Sequence, residues 1–258
     1  MFTIAFDCGH GLKTAGKQTP DGIKEWTLND KVRDKATKIL SEYECKIIHT
    51  DNDEGNTDET LASRLSKYTK ADVDVFVSFH HNANTGKWNN ATGVEVYIDK
   101  NPTTKDAKLA NCIYTRLVKY TGLKGRGIKK EDFYVINQNT IPAVLVEGGF
   151  MDGTNDYKII TSEEGQNAYA KAVAEGIIEY GKLKKKVVAK PATTNKYFKK
   201  YTGTTASIVT ALNSIGATSS FAYRCKIAKA NGIKAYVGTA KQNTTMLNLL
   251  KNGKLIKP

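Results

Sequence analysis

Strands that alternate with helices over roughly the first 180 residues constrain the fold of this chain most strongly. The run Val73 to Phe79 is almost entirely β-branched and aromatic, which is typical of a strand buried on both faces. Residues Glu25 to Leu40 instead place apolar side chains at helical spacing. Further strands are predicted at Phe2 to Phe6, Cys45 to Thr50, Gly93 to Ile98, Phe133 to Ile136 and Ala143 to Val146, and further helices at Thr60 to Tyr68, Asp106 to Tyr120 and Ser162 to Tyr180. The alternation predicts an α/β fold in which a mixed, largely parallel sheet is flanked by helices.

Four ionisable residues fall at positions that such a fold brings together. His10, His80 and Glu147 are each predicted to follow the C-terminal end of a strand, and Glu25 opens the first helix. Ligand sites in open α/β sheets gather at that edge. Two histidines and one carboxylate match a catalytic zinc site, and a further carboxylate is suited to moving protons. The residues therefore indicate a metal-dependent hydrolase of an amide or ester, and they leave the bond unidentified.

A structural role is the alternative for each histidine taken singly, because a lone histidine at a strand end more often packs than catalyses. The joint placement of the four residues weakens that alternative, and the residue pattern alone leaves both readings open. His81 points to the side of the strand opposite His80, so a core or supporting role is expected for it. No functional role is expected for His49. For Cys8 packing is expected, and since the chain has no Cys-x-x-Cys pair, a thiolate zinc knuckle is not.

Charge divides the chain unevenly. The whole chain carries 39 Lys and Arg against 26 Asp and Glu, a net charge of +13. Residues 181 to 258 contain 15 Lys, one Arg and no acid, so this third of the chain carries +16 and the remainder −3. The asymmetry predicts a catalytic half joined to a basic half that meets an anionic partner. Nucleic acid, membrane headgroups and anionic wall polymers all satisfy the charge alone.

The basic C-terminal third of the chain is predicted to consist of a linker and a small domain. A Lys-rich stretch with Pro191 predicts a linker over residues 181–196, between a catalytic domain at 1–180 and a small domain at 197–258. Three apolar stripes at helical spacing predict that the small domain is mainly helical. No apolar run approaches the ~18 residues that cross a bilayer, so no membrane insertion is expected. The first residues read as a strand and not as a signal peptide, so synthesis is expected to end in a cytoplasm.

The motifs around the four residues resemble those of the zinc-dependent N-acetylmuramoyl-L-alanine amidases of the Amidase_3 type, found in bacterial autolysins and phage endolysins. The resemblance covers roughly residues 1 to 180 and rests on the segments 7–11 (DCGHG), 78–83 (SFHHNA), 126–129 (RGIK) and 142–150 (PAVLVEGGF), together with Glu25. Cys8 departs from the family, which has proline there. The tail from about Tyr197 is similar, less specifically, to wall-binding modules of endolysins from phages of Gram-positive hosts, notably clostridial ones.

The resemblance implies that His10, Glu25 and His80 bind zinc and that Glu147 is the catalytic acid/base. It also implies cleavage between the lactyl group of N-acetylmuramic acid and L-alanine in peptidoglycan. It favours a bacteriolytic endolysin of a phage, released to the cell wall through a holin pore, with peptidoglycan and anionic wall polymers of a Gram-positive wall as partners. An autolysin or spore-wall amidase is the alternative with the same chemistry, and a nucleic-acid-binding protein and an inactive wall adhesin are alternatives of other classes. No nucleic-acid partner is expected, because no base-reading motif is present. No substrate-binding residue is assigned.

Overall fold

The computed structural model describes residues 1–137, 140–186 and 196–258. The chain divides into two compact units, Met1–Lys186 and Val187–Pro258, of which the second is described from Lys196 onward. The predicted linker lies across this division. Its first residues are held to the first unit, where Lys186 donates a backbone hydrogen bond of 2.7 Å to the carbonyl of Glu42. Residues 187–195 of the predicted linker lie outside the described residues.

A six-stranded sheet forms the centre of the first unit, with the strand order β2-β1-β3-β6-β4-β5. The strands are β1 (Phe2–Cys8), β2 (Cys45–His49), β3 (Val75–Asn82), β4 (Val94–Asp99), β5 (Gly125–Glu131) and β6 (Ala143–Phe150). Only the pairing of β4 with β6 is antiparallel among these strands. The prediction of a mixed, largely parallel sheet is therefore confirmed.

Helices cover both faces of this sheet. They are α1 (Glu25–Leu40), α2 (Leu61–Lys70), α3 (Thr104–Thr121), α4 (Thr154–Ile160) and α5 (Glu163–Gly181). Because side chains alternate along a strand, Val77 and Val146 enter the main core with α1, α3 and α5, whereas Phe76 and Leu145 enter a smaller core with Tyr68 of α2. The same alternation assigns the side chains of the site to one face.

One predicted strand is wrong. Tyr134 to Ile136 form a turn, and the fifth strand of the sheet is Gly125–Glu131 instead. The apolar character of Val135 and Ile136 has another cause, since both are buried in the smaller core beside Tyr68. β5 is paired only with β4, at the edge of the sheet, and its mostly exposed residues lack the apolar pattern of a buried strand.

The expected position of two site residues also needs correction. β3 continues to Asn82 and β6 to Phe150, so His80 and Glu147 lie within strands and not beyond their ends. β3 ends in two histidines and an asparagine, and β6 contains a glutamate and two glycines before Phe150, so this composition hides backbone pairing that continues through these residues. The parallel register places His80 directly beside Glu147.

The second unit is a small helical bundle. Its helices are α6 (Ile208–Ser214), α7 (Phe221–Ala230) and α8 (Ala240–Lys251). Their buried faces share one core that includes Leu212, Ile227, Met246 and Leu250, as the three apolar stripes predict. In the described part of the chain, no helix combines the length and the apolar character that crossing a bilayer requires.

Candidate metal and catalytic site

Three of the four predicted site residues converge on one point. His10 comes from the loop after β1, Glu25 is the first residue of α1, and His80 lies in β3. Nε2 of His10 lies 3.4 Å from Oε2 of Glu25, and Nδ1 of His80 lies 3.0 Å from Oε1 of the same carboxylate. One potential ligand atom from each residue lies within 4.8 Å of the other two. A single buried carboxylate thus faces two imidazoles.

The loop after β1 is shaped to fit this cluster. His10 has a φ of +66°, in the left-handed region that residues other than glycine rarely adopt. Gly9 packs against the ring of His80, and a Cβ at this position would lie only 1.9 Å from Cε1 of that ring. Glycine is therefore the residue that allows the β1 loop and the β3 histidine to approach each other.

Arg64 of α2 fixes the backbone of the same loop. Its buried guanidinium donates hydrogen bonds to the carbonyl oxygens of Cys8, at 2.6 Å, and His10, at 2.8 Å. It also pairs with Oδ1 of Asp7 at 2.7 Å. Sequence reasoning missed Arg64. The available signal was an arginine at helical spacing from Leu61 on the apolar face of a short helix.

Asp7 holds this arrangement as a carboxylate. Burial acts to raise its pKa, but the Arg64 charge and hydrogen bonds from the hydroxyls of Ser78 and Thr50 outweigh burial and lower the pKa below its ordinary value. Ser78 donates at 2.6 Å and Thr50 at 2.8 Å. The end of β1 is therefore tied to α2, to β3 and to the residue that follows β2 through one ionised side chain.

His81 supports the cluster from the other face of β3. Its backbone N–H lies 3.3 Å from Oε1 of Glu25, to which it donates. Its Nδ1 lies 2.8 Å from the side-chain oxygen of Asn29, and the amide of Asn29 donates to the carbonyl of Gly9 at 3.2 Å. Burial lowers the pKa of His81 to about 4, so its ring is neutral and can donate through Nδ1. Asn29 was also missed, since no motif marks it.

The charge states of two of the three converging residues suit metal binding. Burial lowers the pKa of His10 to about 4 and leaves its imidazole neutral. Burial acts to raise the pKa of Glu25, but the hydrogen bond and the charge of His80 prevail and lower it to about 2. At the third, His80, burial acts to lower the pKa, but the hydrogen bond and the charge of Glu25 prevail and raise it, so a metal would displace a proton there. Metal ligands must be deprotonated to bind, so a neutral imidazole and an ionised carboxylate are the forms required.

Glu147 lies beside the cluster without joining it. Its Oε2 is shut off from solvent and has no hydrogen-bond partner among the described residues. Burial raises the pKa of Glu147 to about 8, against the opposing effect of His80, while Glu25 and Glu95 raise it further. A carboxyl group in this state can hold a proton near neutral pH and release it to a nearby base.

The donor set fits zinc. Two imidazoles and one carboxylate, with room for a further ligand, form one of the common catalytic zinc sites. In the described ranges the group of His10, Glu25 and His80 is the one cluster with this geometry, and Cys8 is outside it. Burial raises the pKa of the Cys8 thiol well above its ordinary value, so the thiolate that a metal would need is disfavoured.

Two cavities meet at the cluster. The larger, of about 570 Å³, is lined in part by Leu61, Phe133 and Tyr134, and the smaller, of about 330 Å³, by residues that include Gly16 and Met151. Both are lined by His10, Lys17, His80 and Glu147. Three apolar side chains of the larger cavity are exposed, among them Tyr134 by 45% and Leu61 by 54%, whereas Val135 and Leu145 are buried. A long amphipathic substrate could therefore pass across the cluster from one cavity to the other.

Comparison with known proteins gives a consistent likeness over the first unit. Residues 4–179 match the family model of the N-acetylmuramoyl-L-alanine amidases, Amidase_3. The endolysin of Bacillus phage SPP1 is 34% identical over 190 residues, which cover 71% of this chain and 67% of that protein. The amidase LytC of Bacillus subtilis (strain 168) is 31% identical over 180 residues, which cover 69% of this chain and 35% of LytC.

Solved structures show the same likeness. The catalytic domain of CwlV, an N-acetylmuramoyl-L-alanine amidase from Bacillus (Paenibacillus) polymyxa var. colistinus, superposes with a TM-score of 0.65 at 29% sequence identity. The match covers 71% of this chain and 100% of that domain. The family match ends at residue 179, so the second unit lies outside it.

Proposed function

The chain belongs to the Amidase_3 family of N-acetylmuramoyl-L-alanine amidases, and we propose that it hydrolyses the amide bond between N-acetylmuramic acid and L-alanine in peptidoglycan. The observation that carries the proposal is the convergence of His10, Glu25 and His80 beside the unpaired carboxyl oxygen of Glu147. The printed names of the SPP1 endolysin and of LytC support the same class of substrate.

His10, Glu25 and His80 are the proposed zinc ligands. Zinc bound there would supply a Lewis acid that polarises a carbonyl group and lowers the pKa of a water molecule. The chain contributes two imidazole donors, the charge of Glu25, and a loop held in place by Gly9 and Arg64. Together these features keep three side chains from distant segments in one orientation.

Glu147 is the proposed general acid/base. Its carboxylate accepts a proton from the attacking water, whose oxygen forms the new bond to the lactyl carbonyl carbon. The same carboxyl group then donates that proton to the nitrogen of L-alanine as the C–N bond breaks. Because burial raises its pKa to about 8, Glu147 passes between its two protonation states near neutral pH.

The second unit is proposed to direct the enzyme to the wall. Its lack of acidic residues and its many lysines suit an anionic wall polymer of a Gram-positive cell. A phage endolysin, made in a host cytoplasm and released through a holin pore, is the proposed biological setting, and the SPP1 relative supports it. A clostridial host is proposed from the resemblance of the tail alone. A bacterial wall amidase with the same chemistry is the alternative, to which the likeness to LytC lends support.

Digestion of purified peptidoglycan tests the reaction. We expect mass spectrometry to show newly freed L-alanine amines, in amounts that fall when a chelator is added and recover when zinc is restored. The Glu147→Gln variant is the matched control and should release almost none. Reducing sugar ends in place of free alanine amines would contradict the proposal.

A further inference from the structure

Positive charge in the second unit has no acidic side chain of its own to neutralise it. Residues 187 to 258 contain 11 Lys and one Arg and neither Asp nor Glu. No lysine there can form an ion pair with a carboxylate side chain of the same unit. The charge is therefore available to an external anion, and a surface that binds one should combine these cations with a defined shape.

Two aromatic rings provide part of such a shape. Phe221, the first residue of α7, is 52% exposed, and its ring stacks on that of Tyr236 with centroids 5.9 Å apart and planes at 28°. The Arg224 guanidinium lies 5.8 Å from the centre of the Phe221 ring, and its Nε donates to the hydroxyl of Tyr236 at 3.0 Å. Val237, next to Tyr236, is 69% exposed. Tyr236 packs against the core of the unit, whereas Phe221 and Val237 are not part of that core, so their exposure leaves an apolar surface beside Arg224.

A cavity adjoins the aromatic pair. Its volume is about 290 Å³, and it is lined by Tyr236 together with Lys229, Ile233, Lys234 and Ala235, among others. Both lysines are exposed. An ammonium group beside an aromatic ring and a small concave surface is an arrangement that suits an anionic group attached to a sugar ring.

The loop that forms this cavity is held in one conformation. The side-chain oxygen of Gln242 accepts hydrogen bonds from the backbone N–H groups of Val237, at 3.1 Å, and Thr239, at 3.2 Å. Its amide donates to the carbonyls of Ala235, at 3.0 Å, and Lys234, at 3.3 Å. Ala235 is thereby kept at a φ of +46°, an unfavourable value for alanine. A surface that is preformed in this way loses little conformational entropy on binding.

We infer that Phe221, Arg224, Lys229, Lys234 and Tyr236 form a binding site for a phosphate-bearing saccharide polymer of the cell wall. We name these five residues the α7 surface. The lysines and Arg224 meet phosphate oxygens, and the exposed ring of Phe221 packs against the apolar face of a sugar. The inference rests on the proposed function, which makes the wall the target, and it adds the ligand class and the residues that bind it.

Binding of the full chain to purified Gram-positive walls tests the α7 surface. We expect Phe221→Ala and Lys234→Glu each to weaken cosedimentation with the walls about tenfold, the loss typical of a central interface contact. Lys254→Glu, which repeats the Lys234 change, and Tyr197→Ala, which removes another exposed aromatic ring, are the matched controls because both lie in this unit outside the α7 surface, and each should change binding less than about twofold. Lys234 is exposed, so its replacement leaves the core of the unit intact. The Lys234→Glu variant therefore tests the α7 surface even if Phe221→Ala folds poorly.

The ligand class is tested with the same protein. Walls stripped of phosphate polymers by hydrofluoric acid should lose most of the bound protein, and double-stranded DNA at equal ionic strength should bind more weakly than intact walls. Equal binding to stripped walls, tighter binding to DNA, or equal losses in Lys234→Glu and Lys254→Glu would overturn the inference. Cleavage of a soluble muramoyl peptide is measured in parallel and should be unchanged in all four variants. If the wild-type chain does not cleave it, the proposed function fails, whereas the binding results still judge the α7 surface.

Discussion

At the scale of single residues, the site depends on the contrast between two glutamates. Glu25 faces two imidazoles, and its pKa is lowered to about 2, whereas burial of Glu147 raises its pKa to about 8. The carboxyl group of Glu25 contacts Nδ1 of His80, whereas Glu147 lies in register with His80 on the next strand. Glu25 is thereby suited to binding a cation, and Glu147 is suited to moving a proton.

Replacement of Glu147 by Gln separates these roles. We expect the variant to retain the zinc content of the wild type and to lose about 10²–10⁴-fold in turnover, the contribution typical of a general acid/base. Metal analysis of dialysed protein and alanine release from peptidoglycan measure the two quantities. Turnover near the wild-type rate would exclude Glu147 from the proton transfer.

His80 is expected to act on the metal itself. The His80→Ala variant should lose stoichiometric zinc, because it removes one of three donors that lie within 4.8 Å of one another. His49→Ala is the matched control, since His49 lies in the same unit and contacts Asp53 at 2.5 Å, away from the cluster. Calorimetric titration of apo-protein with zinc distinguishes them. Wild-type affinity in His80→Ala would show that the metal binds elsewhere.

Much of the site could be predicted from the sequence, and the limits have physical causes. His10, Glu25, His80 and Glu147 stand out because their residue types suit metal and proton chemistry and because the sequence pattern predicts each of them near the end of a strand or the start of a helix, although His80 and Glu147 prove to lie within their strands. Arg64 and Asn29 act only through tertiary contacts with the backbone of the loop after β1, and such contacts leave no local pattern.

At the scale of elements, the end of β1 is fixed by the pairing of Asp7 with Arg64 of α2. The pKa of Asp7 is held below its ordinary value of 3.8, so the folded state favours the ionised form. The resulting stabilisation is complete above the unfolded pKa and is lost as the pH falls through the lower, folded pKa. The ion pair should therefore contribute to stability at neutral pH and progressively less in acid.

Comparison of the wild type with Asp7→Asn tests this linkage. We expect the difference in free energy of unfolding between the two proteins to be largest near about pH 6 and to shrink below about pH 4. Urea unfolding followed by tryptophan fluorescence reports on the first unit alone, because Trp26 and Trp88, the two tryptophans of the chain, both lie there. A difference that stays constant over this pH range would contradict the lowered pKa.

The strand predicted at Phe133 to Ile136 is wrong for a reason that belongs to the scale of elements. Phe133 to Ile136 carries the apolar pattern of a strand, but Val135 and Ile136 use it to cover Tyr68 and Phe76 from a turn. Gly125–Glu131 carries no such pattern because an edge strand exposes most of its side chains. The amino-acid composition of a segment indicates how deeply its side chains are buried. It does not indicate which of its backbone groups are hydrogen-bonded in a sheet.

At the scale of the whole molecule, the distribution of charge matches a division between the proposed catalysis by the first unit and the proposed wall binding by the second. The net charge of +16 belongs to residues 181–258, and the remainder carries −3. We expect lysis of walls to slow as salt increases, because screening weakens binding of the basic unit to an anionic polymer. Cleavage of a soluble muramoyl peptide should change little over the same range, since it needs only the first unit. Rates measured on both substrates from low to high salt check this, and parallel decline on both would contradict the division of tasks.

The most direct test of the account is the position of the metal. X-ray diffraction from zinc-soaked crystals of the full chain, recorded on both sides of the zinc absorption edge, locates the ion by its anomalous scattering. We predict one strong peak at about 2.0–2.2 Å from a nitrogen of His10, a nitrogen of His80 and an oxygen of Glu25, with Glu147 beside it and unbound. A peak at other residues, or imidazoles of His10 and His80 turned away from each other around an empty centre, would contradict the account.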